Sequence, residues 1–424
     1  MLGSVSRSVL GGVKGLRTGE RERDSSLSTA LDPALRKKKR TSMQAAATTG
    51  AAPKAPGVED PQRAEAICEE ATSDLDLISL ANERGLKLGP ASIDQVCAAY
   101  GLGRRLSCRV RETFGAALEL SLITERGDYE LRALGRDVVG SLGLEVEAGL
   151  VAYLRQRRYP APDLLTTVAG ARYVRHEGVA YVVASAVAGE LYDESDAQAI
   201  SAGRSLGLYH VLVNDYPGPY RLAGSRYATD TIVEDLTWLR SMQRFVAHVR
   251  RRQLGALKPI FATTAERLKR LQPSIAALYT HEPRLITHGS FTRDEVLFQD
   301  DIVVNVKGFQ STSYDVRLVD VAHACISFCS TTDEPDLAPR LEREVYRQFL
   351  AGYAEVAALS EIESRSLPAL IQAERVLDFV AQCRILLDAF SPDESCDLVS
   401  AIEQAAERLQ AQVEGDANCV GDEQ

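Results

Sequence analysis

The spacing of apolar and polar residues divides the chain into a polar leading segment, a strand-rich part and a helix-rich part. Residues 1–72 combine the basic run Arg36–Arg40 with a stretch rich in Ala, Thr, Gly and Pro. Such a composition buries too little apolar surface to offset the loss of chain entropy, so we expect a disordered tail and linker there. From residue 74 onward, apolar residues at helical spacing predict two short helices that end near Gly101.

Alternation of apolar and polar residues then predicts a small antiparallel sheet. Its strands are expected at 106–110, 118–124, 129–134, 164–168 and 180–185. A helix over 144–157 interrupts this series, and Pro160 ends it.

Helices dominate the remainder of the chain, and a strand-rich island at 285–309 lies between them. Apolar stripes predict these helices at 196–213, 231–251, 258–278, 341–359 and 366–389. A small sheet followed by a larger helical part is typical of an α+β, two-lobed chain with a cleft between the lobes. We therefore expect a disordered tail and linker (1–72), an N-lobe with a helical lead-in (73–183), a helical C-lobe (184–411) and a disordered tail (412–424).

Composition and charge narrow the function classes. With 424 residues, of which 45% are hydrophobic, the chain can bury a large core. Its formal net charge of -10 offers phosphates no broad basic surface, so we expect no nucleic-acid partner. The eight cysteines form no CxxC pair, and no stretch reaches the roughly 20 apolar residues of a membrane span. We expect a cytoplasmic protein with reduced thiols, and the sequence leaves open whether residues 1–18 are a targeting segment.

Five segments form an ordered set of motifs. They are the strand Tyr129–Arg132, the helix that carries Glu147, the strand Tyr181–Ser185, the helical segment Gly203–His210 and the loop Leu285–Phe298. In this order they resemble the aminoglycoside phosphotransferase/choline kinase superfamily, in particular its homoserine-kinase-type and spore-coat-kinase-like branches. The resemblance implies a two-lobed protein-kinase-like fold, with a small antiparallel-sheet N-lobe and a larger helical C-lobe.

The resemblance also permits a chemical test, because a phosphotransferase must orient an acceptor hydroxyl and hold Mg²⁺ on the nucleotide. The superfamily uses an aspartate two residues after a loop histidine, an asparagine five residues further on, and a second aspartate after the next strand. In this chain the matching positions are Ser290, Glu295 and Gly308. A serine is a poor general base and a glycine offers no side-chain ligand, so the catalytic positions are degenerate and we expect no metal site. His288 matches the loop histidine, which is structural in the superfamily.

Other positions match the superfamily and imply that part of the scaffold is kept. Arg132 stands at the position of the phosphate-pairing lysine, and Glu147 is its expected partner. Val183 and Ser185 lie in the segment that resembles the adenine-binding strand, so they are expected to contact a nucleotide. Asp320 matches a structural aspartate that accepts hydrogen bonds from the catalytic-loop backbone. ATP is therefore a candidate ligand.

Three functions stay open at this point. The first is a pseudokinase that binds a nucleotide or small molecule in its interlobe cleft, or acts through a protein partner. The second is a divergent ATP-dependent kinase of a small hydroxyl compound, in which the missing carboxylates are replaced by Asp294, Asp301 or Asp315. The third is a DNA-binding regulator, because residues 112–142 resemble the helix, strand and turn pattern of a winged helix.

Overall fold

The computed structural model describes residues 74–83, 85–114, 117–135, 141–218, 229–248, 252–331, 339–388 and 395–420. The predicted tail at 1–72, with the candidate targeting segment 1–18, lies outside these residues. The described chain forms an antiparallel sheet lobe and a larger helical lobe, which confirms the expected α+β, two-lobed class.

The sheet lobe contains five antiparallel strands in the spatial order β1-β2-β3-β5-β4. They are β1 (Arg105–Phe114), β2 (Ala117–Thr124), β3 (Gly127–Leu134), β4 (Val174–His176) and β5 (Val179–Ser185). Burial along β2 alternates as its period-two pattern predicts, whereas β5 is buried on both faces because elements cover it on each side.

Helices provide that cover. The lead-in helices α1 (Asp74–Glu83) and α2 (Pro90–Tyr100) pack on one face of the sheet, and α3 (Ser141–Gln156) packs on the other. The hydroxyl of Tyr100 donates to the carbonyl oxygen of Tyr181 at 3.0 Å, which fixes the lead-in helices to the inner strand β5.

The strand predicted at 164–168 is wrong, because the edge strand of the sheet is a later segment. Only Leu164 forms a β-bridge there, to Ala184. The chain then turns, and the backbone N–H of Gly170 donates to the carbonyl of Thr167 at 2.8 Å. This turn ends the pairing, so the strand beside β5 is the later segment β4.

The helical lobe contains all the helices that the apolar stripes predict there. Its helices are α4 (Asp196–Asn214), α5 (Thr229–His248), α6 (Leu257–His281), α7 (Leu318–Cys329), α8 (Arg343–Ala354), α9 (Glu361–Asp388) and α10 (Ser395–Val420). The short strands of this lobe are β6 (Glu190–Leu191), β7 (Arg284–Thr287), β8 (Val296–Gln299), β9 (Ile302–Val306), β10 (Ser313–Val316), β11 (Ser330–Thr331) and β12 (Arg340–Leu341). They pair as β6-β8-β9, β7-β10 and β11-β12. Among the described residues, no helix has both the length and the apolar composition to cross a membrane.

Two glycines let α4 and α8 touch backbone to backbone. A Cβ atom on Gly203 would lie 2.1 Å from the carbonyl oxygen of Phe349, and one on Gly352 would lie 2.1 Å from that of Ile200. Any larger residue at either position would force the two helices apart, because carbonyl oxygens cannot move aside like side-chain ends. α4 also contacts the strand β7.

The C-terminal helix differs from the domain organisation that the sequence predicts. We expected disorder over 412–424, but α10 continues to Val420. Val413 and Cys419 are buried. The prediction was wrong because it rested on acidic composition and overlooked the apolar stripe that α10 presents to the rest of the lobe.

The winged-helix alternative for residues 112–142 is also corrected. Residues 117–124 form β2, which pairs with β1 on one side and β3 on the other. A winged helix requires a helix before its wing, whereas these residues are an inner strand of the sheet.

The buried ion pair that fixes α10 gives a first prediction. The Asp416 carboxylate accepts from Arg375 Nε at 3.0 Å and from the backbone N–H of Leu341 at 2.9 Å, and both charged side chains are at least 94% buried. Asp416→Ala leaves the Arg375 charge unpaired, so we expect a loss of about 3 kcal/mol in the free energy of unfolding. Urea denaturation followed by circular dichroism measures it.

The matched control is Glu361→Ala, which removes an ion pair to Arg365 whose side chains are more than 70% exposed. Its expected cost is below about 0.5 kcal/mol. Equal effects of Asp416→Ala and Glu361→Ala would contradict the docking of α10.

Candidate functional site

A buried carboxylate, Asp320 in the first turn of α7, organises the loop between β7 and β8. Its oxygens accept from the backbone N–H groups of His288 at 2.6 Å and Gly289 at 2.8 Å. His210 Nε2 on α4 donates to the same carboxylate at 3.1 Å, and His210 Nδ1 shares a hydrogen bond of 2.8 Å with the Tyr353 hydroxyl. One side chain therefore holds the loop against α4, α7 and α8, as expected for a structural aspartate.

Burial controls the protonation of this cluster. Burial opposes a charge on Asp320, but the hydrogen bond and charge of His210 and the N–H of Gly289 outweigh it, so the pKa of the carboxyl lies below its usual value. Burial also lowers the pKa of His288 to about 4, and the Asp320 charge offsets this only in part. His288 is therefore neutral at pH 7, and it packs among the rings of Tyr209, Phe291 and Phe309.

The three degenerate catalytic positions meet at one point. A Cβ atom on Gly308 would lie 3.2 Å from His288 Cε1, 3.3 Å from Glu295 Cδ and 3.3 Å from Ser290 Cβ. The backbone N–H of Lys307, just after β9, donates to the Glu295 carbonyl at 2.8 Å, and this bond holds the end of the β7–β8 loop beside the end of β9. The structure thus brings together the residues that the motif pairs, and it places a glycine with φ +87° at their centre.

The loop is poor in side-chain ligands for a magnesium ion. In kinase-type sites Mg²⁺ is bound through one or two carboxylates together with substrate phosphates and water. The point where Ser290, Glu295 and Gly308 meet offers the single carboxylate of Glu295, and Gly308 adds no side-chain atom. Across the described residues, no group of three or more His, Cys, Asp or Glu side chains is placed to hold a metal.

The aspartates considered as substitutes lie elsewhere. Asp301 is exposed in the turn between β8 and β9. Asp315 is buried in β10, where its Oδ1 accepts from the N–H of Val316 at 2.7 Å. Asp294 is half-buried in the loop, and the atoms nearest to a Cβ at Gly308 belong to other residues.

Arg132 on β3 has protein partners on two of its nitrogens. It forms an ion pair with Glu147 of α3, as the sequence predicts, and its Nη1 donates to Gln310 Oε1 at 2.7 Å. Burial disfavours its charge, but the carboxylates of Glu147 and Glu119 outweigh this and raise the pKa of Arg132. The guanidinium therefore remains charged although only 13% of the side chain is exposed. Its bond to Gln310 joins the sheet lobe to the helical lobe.

A second interlobe contact involves Glu130, which the sequence analysis did not single out. Its Oε1 accepts from Arg111 Nη1 of β1 at 2.8 Å and lies 3.8 Å from Lys307 Nζ of the helical lobe. Glu130 stands two residues before Arg132, so both side chains face the cleft, and this spacing was the signal that could have identified it.

The cleft between the lobes is nearly filled by these side chains. Its volume is about 40 Å³, whereas pockets that hold small-molecule ligands measure roughly 300–1,000 Å³. The lining residues include Glu119, Glu130, Arg132, Val182, Ala184 and Lys307. The structure therefore shows a closed cleft that must widen before it can admit a nucleotide.

The predicted nucleotide contacts on β5 need correction. Val183 faces the core beneath α1 and α2, because side chains alternate along a strand; its neighbours Val182 and Ala184 line the cleft instead. The backbone N–H of Ser185 already donates to the carbonyl of Asp163 at 3.0 Å. The Val183 side chain and the Ser185 backbone N–H group are therefore already used within the protein.

The fold and the loop together define a two-lobed, kinase-like class of protein. The profile of the phosphotransferase enzyme family matches residues 122–359, more than half of the chain, and the chain belongs to this family. The homoserine kinase of Beijerinckia indica subsp. indica is 26% identical over 289 residues, which cover 64% of this chain and 78% of that protein.

Solved structures share the fold at lower identity. An aminoglycoside phosphotransferase from Alicyclobacillus acidocaldarius is 14% identical with a TM-score of 0.55, over 76% of this chain and 96% of that chain. Amicoumacin kinase, solved with AMP-PNP and Ca²⁺, is 14% identical with a TM-score of 0.56, over 76% of this chain and 92% of that chain. The superfamily predicted from the five motifs is confirmed.

The neutral His288 predicts a pH dependence of stability. Its pKa is about 4 in the folded protein and about 6.5 in an unfolded chain. Between these values the unfolded state binds more protons, so His288 contributes stability fully above pH 6.5, and this is lost as the pH falls toward 4. The total contribution is about 3 kcal/mol. His288→Asn keeps an acceptor for the Ser290 N–H, and it should flatten the slope of unfolding free energy against pH in this window.

The matched control is His281→Asn, which removes an exposed histidine at the end of α6. It should leave the slope of the natural protein unchanged. An equal slope in His288→Asn and the natural protein would contradict a buried neutral His288.

Proposed function

We propose that this protein is a pseudokinase, a kinase-like member of the family that does not transfer phosphate. The observation that carries the proposal is the meeting of Ser290, Glu295 and Gly308 at one point. The loop is held in the family's arrangement by Asp320, so the missing chemistry does not follow from a collapsed loop. It follows from the residue types themselves.

Phosphate transfer to a hydroxyl has two chemical requirements that these residues meet poorly. Transfer to a hydroxyl requires a group that orients the acceptor and takes its proton, and the neutral Ser290 hydroxyl is a poor base at pH 7. Transfer also requires compensation of the charge on the phosphates, which Mg²⁺ supplies in phosphotransferases. At Gly308 the chain offers no ligand for that ion, and the adjacent Lys307 places a positive charge there.

A binding role remains for the cleft in this proposal. Arg132 and its partner Glu147 are kept, and the amicoumacin kinase neighbour was solved with a nucleotide analogue, which supports ATP as a candidate ligand. The narrow cleft supports a protein that changes shape when it binds a ligand, and action through a protein partner is part of the proposal. A cytoplasmic location belongs to the same proposal.

The second candidate is a divergent kinase of a small hydroxyl compound. The homoserine kinase relative favours it, because the name of that relative describes phosphate transfer to homoserine, a small hydroxy amino acid. The positions of Asp301 and Asp315 count against it, since one lies on an exposed turn and the other bonds its own neighbour's backbone.

Phosphate transfer tests the proposal. The full chain is incubated with Mg²⁺ and γ-labelled ATP, with L-homoserine or 1-amino-2-propanol as acceptor, and labelled product is measured by chromatography. We expect no product above the protein-free background. Product that disappears in Arg132→Ala would overturn the pseudokinase proposal, whereas product that persists in that variant comes from a contaminating enzyme.

Restoring the family's residues is a further prediction. Ser290→Asp with Gly308→Asp returns both carboxylates, but position 308 has a φ of +87° and three neighbours within 3.3 Å of a Cβ. Such crowding and strain cost about 1–3 kcal/mol. We expect the double variant to be less stable in thermal melts and still inactive. Full activity of the double variant would show that the two side chains alone were missing.

A further inference from the structure

The ammonium of Lys307 is poorly satisfied for a side chain that is only 14% exposed. Its described ion-pair partner is Glu130 Oε1 at 3.8 Å, which is beyond hydrogen-bond distance. An ammonium carries three donors and is costly to bury without acceptors. Lys307 also lines the cleft, so its unused donors lie at the wall of the cavity.

Arg111 and Lys307 share one carboxylate from opposite lobes. Arg111 extends from β1 and bonds Glu130 Oε1 at 2.8 Å, and its side chain is 44% exposed. Two cations therefore approach a single carboxylate oxygen from opposite lobes. Arg132 differs, because two of its nitrogens already donate to Gln310 and Glu147.

We propose that Glu130 is an internal counter-anion that closes the cleft by joining Arg111 to Lys307, and that a phosphate-bearing ligand binds without a divalent metal by displacing it. The proposal deepens the pseudokinase function and rests on it, since it concerns binding at the same cleft. The positive charge of Lys307 stands next to Gly308, where the metal-ligating carboxylate is missing.

We expect the replacement of Glu130 by a phosphate group to be energetically favourable. A phosphate group carries more charge than a carboxylate and presents more acceptor oxygens, so it satisfies both cations better than Glu130 does. Release of Glu130 also removes one of the interlobe contacts, which favours widening of the cleft of about 40 Å³. The apparent affinity of the natural protein is lowered by the fraction of time that the cleft is closed.

The test compares binding of metal-free ATP and of pyrophosphate to the full chain by isothermal titration in EDTA. Glu130→Gln keeps the shape of the side chain and removes its charge, so we expect about tenfold tighter binding of both probes. Lys307→Gln should abolish binding, and Arg111→Gln should weaken it about tenfold. Glu361→Gln is the matched control, because it neutralises an exposed carboxylate elsewhere, and it should bind as the natural protein does.

Thermal melts establish that each variant is folded before titration. Unchanged affinity in Glu130→Gln would overturn the counter-anion role. Binding that requires Mg²⁺ would overturn the metal-free mode, and binding of ATP without pyrophosphate would overturn recognition through phosphate. Phosphate transfer by the natural protein would overturn the pseudokinase proposal alone, because tighter binding in Glu130→Gln would still support displacement of Glu130.

Discussion

The carboxylate of Asp320 is the interaction on which the rest of the site depends. It binds two consecutive backbone N–H groups of the loop and the ring of His210, so a loop with little regular structure becomes as fixed as the helices around it. A buried carboxylate is stable only when its hydrogen bonds are complete, and here three donors and the adjacent Tyr353 complete the network. The loop geometry is thus maintained by residues that take no part in transfer chemistry.

The hydrogen bonds that hold the loop are thus separate from the residues at the three motif positions. Ser290, Glu295 and Gly308 can vary without loss of the loop, because none of them supplies the bonds to Asp320. Lys307 faces Glu130 across the lobes, and Arg132 reaches Gln310, so contacts within the protein join the two walls of the cleft.

Much of the fold followed from local patterns in the sequence. Periodicity is strong in the strands at 118–124 and 129–134 and in the long helices. The motifs identified Asp320 and Gly308 from the sequence alone. Local patterns did not predict the Glu130–Lys307 contact, because it joins residues far apart in the chain and depends on how the lobes close. They also missed α10, where acidic composition hid an apolar stripe, and they placed Val183 on the wrong face of β5.

Metal binding distinguishes a site without a functional magnesium position from one that holds the ion. Electron paramagnetic resonance of Mn²⁺, titrated with the full chain and a non-hydrolysable ATP analogue, reports whether protein ligands enter the coordination sphere. If the site has no such position, we expect the Mn²⁺ spectrum with nucleotide to be the same with and without the protein. A distinct protein-bound Mn²⁺ signal that Glu295→Gln removes would contradict it, because Glu295 would then hold the metal.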